Sequence, residues 1–178
     1  LPESGHRSCD VAAKDFIGDR RSSVFMTPIR DAMHAPTYQE ALAINRERTG
    51  KGCSKQAYAL RKRILEVEGF LLEDAKLSDS IFETHPEVGF ASRAAAPPLA
   101  SKHNAAGIAQ RIALLQRLRP DWGLLDLMSG AEAEHCGADD FLDAAMCLVV
   151  AEEKAAGRAQ HLPKGEPELD RMGLPMRI

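Results

Sequence analysis

Two acidic clusters carry the side chains best suited to gripping a cation. One lies in Ile81-Phe82-Glu83-Thr84-His85-Pro86-Glu87-Val88-Gly89-Phe90, the other in Ala138-Asp139-Asp140-Phe141-Leu142-Asp143-Ala144. Alternate side chains of an extended segment share a face, so Glu83, His85 and Glu87 are expected on one side and Phe82 and Thr84 on the other. Pro86 lacks an amide proton and is expected to end that strand near His85. In the second cluster Asp139 suits a helix N-cap and Asp140 the first turn, where the helix dipole favours a carboxylate by about 0.3–1 kcal/mol. Asp143 falls one turn further in, sharing a face with both through spacings of four and three. Two such charges about 4 Å apart repel by about 4 kcal/mol at an effective dielectric of about 20, so a positive partner is expected. Carboxylate oxygens suit Mg²⁺ or Mn²⁺ better than zinc.

Basic loops could seat a phosphate near these acids. Gly50-Lys51-Gly52-Cys53-Ser54-Lys55 leads into a helix N-terminus, Arg20-Arg21-Ser22-Ser23 forms a second small loop, and Lys102 follows the first acidic segment. The spacing of a nucleotide P-loop is missing, and a capped flexible turn is the plainer account of the first loop. The run Arg61-Lys62-Arg63 reads as a solvated helix face. Cys136 stands beside His135, but the neighbouring aspartates disfavour a thiolate there. No G-x-S-x-G, H-E-x-x-H or dinucleotide fingerprint occurs.

The elements that must position these groups fit one domain of 178 residues, with 44% apolar and 28% charged residues. No apolar run approaches the roughly 20 residues of a membrane span, and Leu1 to Asp10 has no apolar core of the signal-peptide kind, so no membrane partner and a cytoplasmic location are expected. Cys9, Cys53, Cys136 and Cys147 are too scattered for a zinc knot or a disulfide scaffold. The formal net charge of −3 excludes a globally cationic surface, leaving local basic patches for any polyanion.

Helices are predicted from about Ser8 to Ile17, stopped by Gly18, and from Thr37 to about Arg48 behind a Thr37/Glu40 capping box. Ser54 is expected to cap the longest helix, with Leu60, Ile64, Val67 and Leu71 as its buried stripe. An Ala/Pro-rich connection from Ala94 to Leu99 precedes a helix over about 104–118 with the stripe Ala105, Ile108, Ile112 and Leu115, terminated by Pro120. The helix over about 139–157 is apolar around much of its circumference, as expected of one packed on a sheet. Only residues 81–85 make a convincing strand, with Ser23 to Met26 and the last few residues as weak candidates. A lone strand leaves its backbone groups unpaired, so its partners are expected in sequence upstream of Leu1.

Taken together the segments resemble a bacterial family, domain-of-unknown-function family 429, regarded as predicted nucleases of ribonuclease H-like fold. The matching pieces are Arg20-Arg21-Ser22-Ser23-Val24-Phe25 with Pro28, Gly50-Lys51-Gly52-Cys53-Ser54-Lys55-Gln56, and Glu83 to Phe90. Lys102 with Gly107 and Arg111, Asp139 to Ala144, and Asp170-Arg171-Met172-Gly173-Leu174-Pro175-Met176 complete them. The resemblance implies an α/β, ribonuclease H-like fold, a mixed sheet flanked by helices. The family's N-terminal strands and their essential aspartate are expected to be missing, so that the chain is mostly helical and forms about the C-terminal three quarters of one domain.

The activity so implied is metal-dependent phosphodiester hydrolysis with two Mg²⁺ or Mn²⁺ ions. The resemblance makes Glu83, His85, Asp140 and Asp143 the catalytic candidates, and Glu83, Glu87, Asp139, Asp140 and Asp143 the metal ligands. Arg20, Arg21, Lys51, Lys55 and Lys102 are the expected substrate contacts. The competing expectation is a non-catalytic domain of the same type that binds nucleic acid or a protein. Hydrolysis of a small phosphate ester fits the same residues, and a homo-oligomer is compatible with the sequence.

Overall fold

The backbone is organised by helix caps that the local sequence supplies. In the computed structural model, which describes residues 1–74, 76–95 and 99–178, α1 spans Ser8–Phe16 and α2 Arg30–His34. Helix α3, Tyr38–Thr49, starts where the Thr37 side chain accepts a hydrogen bond from the Glu40 amide and ends at Gly50, whose φ of 72° is the left-handed geometry glycine tolerates. Ser54 caps α4, Lys55–Ala59, through the Ala57 amide. The expected long helix is broken at Leu60, and α5 runs from Arg61 to Glu73. Short α6, Leu77–Ser80, precedes an extended stretch and then α7, Pro86–Arg93. Helix α8 is Ala105–Leu118, capped by Asn104, α9 is Leu124–Ala133 and α10 is Ala138–Ala155.

The expected mixed sheet does not form among the described residues. Among the described residues the only ladder is a two-residue antiparallel pair, β1 Glu168–Leu169 with β2 Pro175–Met176. A chain built of helices with so small a ladder is not of the ribonuclease H-like type. Residues 81–85 join no ladder, although Ile81 and His85 at their two ends have extended backbone. Proline restricts the residue before it to extended geometry and is itself favoured at the first helical position. His85 is accordingly the extended N-cap and Pro86 the start of α7. Glu83, His85 and Glu87 therefore do not alternate along a strand, and Glu87 sits in the first turn of a helix.

The chain divides into two units. The first comprises Leu1–Phe16, Arg21–Glu83 and His161–Ile178, the second Ile17–Arg20 and Thr84–Gln160. In the first, Ile29, Ala32, Ala35, Ala41, Cys53 and Tyr58 form the core. The expected stripe on α5 is not part of it: Leu60 and Val67 are 45% and 44% exposed.

In the second unit α7, α8 and α9 pack on α10, around Phe90, Leu115, Leu124, Leu142, Met146 and Val149. Helix α10 thus covers helices rather than a sheet. A Cβ on Gly89 would stand 2.8 Å from Met146 Cγ, so the lack of a side chain lets α7 approach α10 closely. Arg93 and Glu153 pair across the same two helices. The stripe predicted for α8 is turned on its axis, because the buried face is Gly107, Arg111, Leu114 and Leu115. A fully buried arginine in the middle of that face hides its period from any apolar count. The Ala94 to Leu99 connection lies partly outside the described residues. Among the described residues no helix is long and apolar enough to cross a membrane.

Candidate functional site

The acids of the second unit gather at the N-terminal end of α10. Gly137 takes the N-cap position without a side-chain cap, and Asp139 and Asp140 occupy the first turn, where the free amides of the helix favour negative charge. A Cβ on Gly137 would stand 3.1 Å from Asp139 Oδ1 and 3.8 Å from Asp140 Oδ2, so both carboxylates lean back over the helix start. Lys102 Nζ donates to Asp143 Oδ2 at 2.5 Å and lies 3.9 Å from Asp139 Oδ2. His103 Nδ1 is also 3.9 Å from Asp139 Oδ2. For Asp143 and Asp139 the expected positive partner is thus present in the chain itself. Burial works against the charge on Lys102, yet the hydrogen bond to Asp143 and the fields of Asp143, Asp139 and Glu87 prevail and raise its pKa.

This balance is incomplete. One ammonium serves both Asp139 and Asp143, and among the described residues Asp143 Oδ1 is buried with no hydrogen-bond partner. A buried unpaired oxygen ordinarily costs about 1–3 kcal/mol. The same charge reaches the next helical turn, since burial first and Asp143 second push up the pKa of the Cys147 thiol.

The remaining acidic candidates are held by arginines. Arg111 Nη2 donates to both carboxylate oxygens of Glu87 at 2.7 Å, while Arg111 Nη1 donates to the carbonyls of Ala100 and Gly107. The Arg111 guanidinium also lies 5.2 Å from the Phe90 ring centre. In the first unit Arg7 Nη1 and Nη2 donate to Glu83 Oε2 and Oε1 at 2.6 and 2.8 Å. Arg7 also grips buried Asp10, whose other oxygen accepts from the Thr27 amide. Sequence reasoning missed Arg7 and Asp10; their spacing of three was the only local signal. It used Arg111 only as a point of family likeness.

His85 is the N-cap of α7. Arg20 and Arg21 lie on a 3-10 turn over Gly18–Ser23, and Lys51 and Lys55 are exposed in the first unit. Lys51 is set by buried Asn45, whose side chain donates to the Lys51 carbonyl and accepts from the Ile29 amide.

Among the described residues no three His, Cys, Asp or Glu side chains gather as a metal cage. Mg²⁺ does not require one, because it keeps several waters and binds through one or two carboxylates together with substrate phosphates. Asp143, with one oxygen on Lys102 and the other unpaired, fits that mode with Asp139 beside it.

No curated protein and no solved structure matches the chain significantly. The model of a family described as "Protein of unknown function (DUF429)" matches residues 1–168. The match spans nearly the whole chain, which therefore belongs to the DUF429 family.

Proposed function

We propose that the acidic end of α10 belongs to a Mg²⁺- or Mn²⁺-dependent phosphodiesterase acting on nucleic acid. The observation that carries the reading is the unpaired, buried Asp143 Oδ1 beside Asp139 and Lys102. A bound divalent ion would supply Lewis-acid polarisation of a phosphoryl oxygen. Asp143 and Asp139 would hold it, with Asp140 as an exposed third carboxylate. Lys102 keeps Asp143 in place and offers an ammonium to a phosphate. His85 takes the part of proton relay, and Arg20, in the same unit, that of a phosphate contact. Glu83 and Glu87 have no part in this reading, since their oxygens are already engaged by Arg7 and Arg111.

Thermal unfolding in the presence of Mn²⁺ tests it. A ligand at about 100 times its Kd stabilises by about 2.7 kcal/mol, so the wild-type Tm should rise by several degrees and that of Asp143→Asn should not. An equal rise in both, or none in either, removes the reading.

A second reading is favoured by the absence of a three-ligand group among the described residues. It is a domain that binds nucleic acid or a protein without cutting. Nucleic acid bound yet never cleaved with Mg²⁺ or Mn²⁺ present would select it.

A further inference from the structure

Between Arg46 and Arg63 the sequence carries seven cations, Arg46, Arg48, Lys51, Lys55, Arg61, Lys62 and Arg63, against one acid, Glu47, a net charge of +6. The whole chain has a formal net charge of −3. Arg48 is partly neutralised by Asp31 at 2.8 Å. No acid stands in the first turn of α4 or α5 to offset the others.

The fold of the first unit sets two of these cations, Lys55 and Arg61, on one aromatic pair. The Tyr38 and Tyr58 rings lie 5.7 Å apart. Lys55 Nζ stands 5.8 Å over the Tyr38 ring and the Arg61 guanidinium 4.1 Å over that of Tyr58. Tyr38 donates its hydroxyl to the Cys53 carbonyl, which holds the Lys51 to Lys55 loop against α3. Gly52 lies beside the Arg46 guanidinium, 3.9 Å from a Cβ placed there. Lys62 and Arg63 continue the group as exposed residues at the start of α5. Each of Lys55 and Arg61 packs on one ring of the pair, and among the described residues no ion pair neutralises either.

We infer that this face binds the phosphodiester backbone of a nucleic acid without regard to sequence. The inference rests on the choice of nucleic acid as partner made above, but not on hydrolysis. A row of closely set cations suits a polyanion, whose condensed counterions are released on binding. Tyr58 is buried and Tyr38 half-buried, with both hydroxyls engaged, so the rings serve as supports for cations rather than as platforms for bases. An anionic membrane suits the face less well. Leu60 is the one large apolar side chain exposed between Arg46 and Arg63, and Glu66 and Glu73 follow on α5.

The test is fluorescence anisotropy of a labelled single strand and a labelled duplex titrated with the full chain in EDTA, repeated over a range of salt. Each phosphate contact contributes about −0.9 to the slope of log affinity against log salt for duplex and about −0.7 for a single strand. Lys62→Gln/Arg63→Gln should weaken binding and reduce the magnitude of the slope by about 1.4–1.8. Lys76→Gln/Lys164→Gln changes net charge equally outside the 46–63 segment and should leave both unchanged. Because binding is read in EDTA, where no metal-dependent hydrolysis runs, a failed hydrolase reading does not touch the result.

Equal losses in the two double variants would mean that net charge, not this face, governs binding, and would overturn the inference. So would the absence of salt-dependent binding in wild type. Tighter binding to phosphatidylserine vesicles, with nucleic acid unable to compete, would overturn it in favour of a membrane.

Discussion

Arg111 donates from one nitrogen to both oxygens of Glu87, each at 2.7 Å, and the two side chains are respectively 0% and 7% exposed. Removing one partner of such a pair strands a buried charge, at about 3–5 kcal/mol, whereas replacing both with apolar groups is often neutral. Arg111→Met should therefore destabilise the second unit by about 3 kcal/mol or more. Glu87→Gln should cost less, because Arg111 keeps the Ala100 and Gly107 carbonyls. In Glu87→Leu/Arg111→Met much of the loss should return. Urea unfolding of the three variants measures this. Strictly additive effects would show that the pair is not coupled.

Two glycines should respond to alanine with opposite signs. A Cβ on Gly107 would stand 2.0 Å from the Ser101 carbonyl oxygen, a backbone atom that cannot swing aside. Gly107→Ala should destabilise by about 2 kcal/mol or more, in the class of steric overpacking. Gly69, inside α5, has no atom within 4 Å of its Cβ position. Gly69→Ala should stabilise by about 0.5–1 kcal/mol through helix propensity. Thermal unfolding of both variants side by side checks the contrast.

The same helices show what the sequence could disclose. Caps at Thr37 and Ser54 involve residues three apart, and local chemistry was enough to place them. The strand expected over residues 81–85 did not form, although Ile81 and His85 have extended backbone, which Pro86 imposes on His85. Whether an extended segment acquires a ladder depends on partners far along the chain, and here it has none among the described residues. Arg111 misled the reading of α8, since a charged residue at the centre of the buried face breaks the apolar period. At the site, the crowding of Asp139, Asp140 and Asp143 was plain from their spacing. That Lys102, 41 residues away, would answer Asp143 was not.

Alkaline pH should loosen the first unit through Cys9. Burial is the largest cause lifting its thiol pKa from 9.0 to about 12, with Arg7 opposing and Asp10 and Glu83 adding to the rise. Between those values the unfolded thiol ionises while the folded one stays protonated. The unfolded state then binds fewer protons, and stability falls as pH increases. Unfolding free energy measured from pH 8 to pH 10.5 should decline from about pH 9, and Cys9→Ala should flatten that part of the curve whatever its own stability. The fully buried Cys9 should also resist a thiol reagent at pH 8 that labels the partly exposed Cys136.

Lys102 is the most informative residue to remove. Its ammonium hydrogen-bonds Asp143 and approaches Asp139, with all three side chains between 20% and 34% exposed. Lys102→Gln keeps the length of the side chain but leaves the aspartates to repel one another, and in EDTA it should cost about 1–2 kcal/mol, between the values for surface and buried pairs. If the ammonium holds the position a divalent ion would share, the variant binds Mn²⁺ more tightly than wild type, and the metal-induced rise in Tm grows. A purely structural ion pair predicts the same loss in EDTA with no recovery on adding Mn²⁺. The metal dependence of the Tm, compared between Lys102→Gln and wild type, therefore separates a cation-binding centre from a helix-capping network that Lys102 already completes.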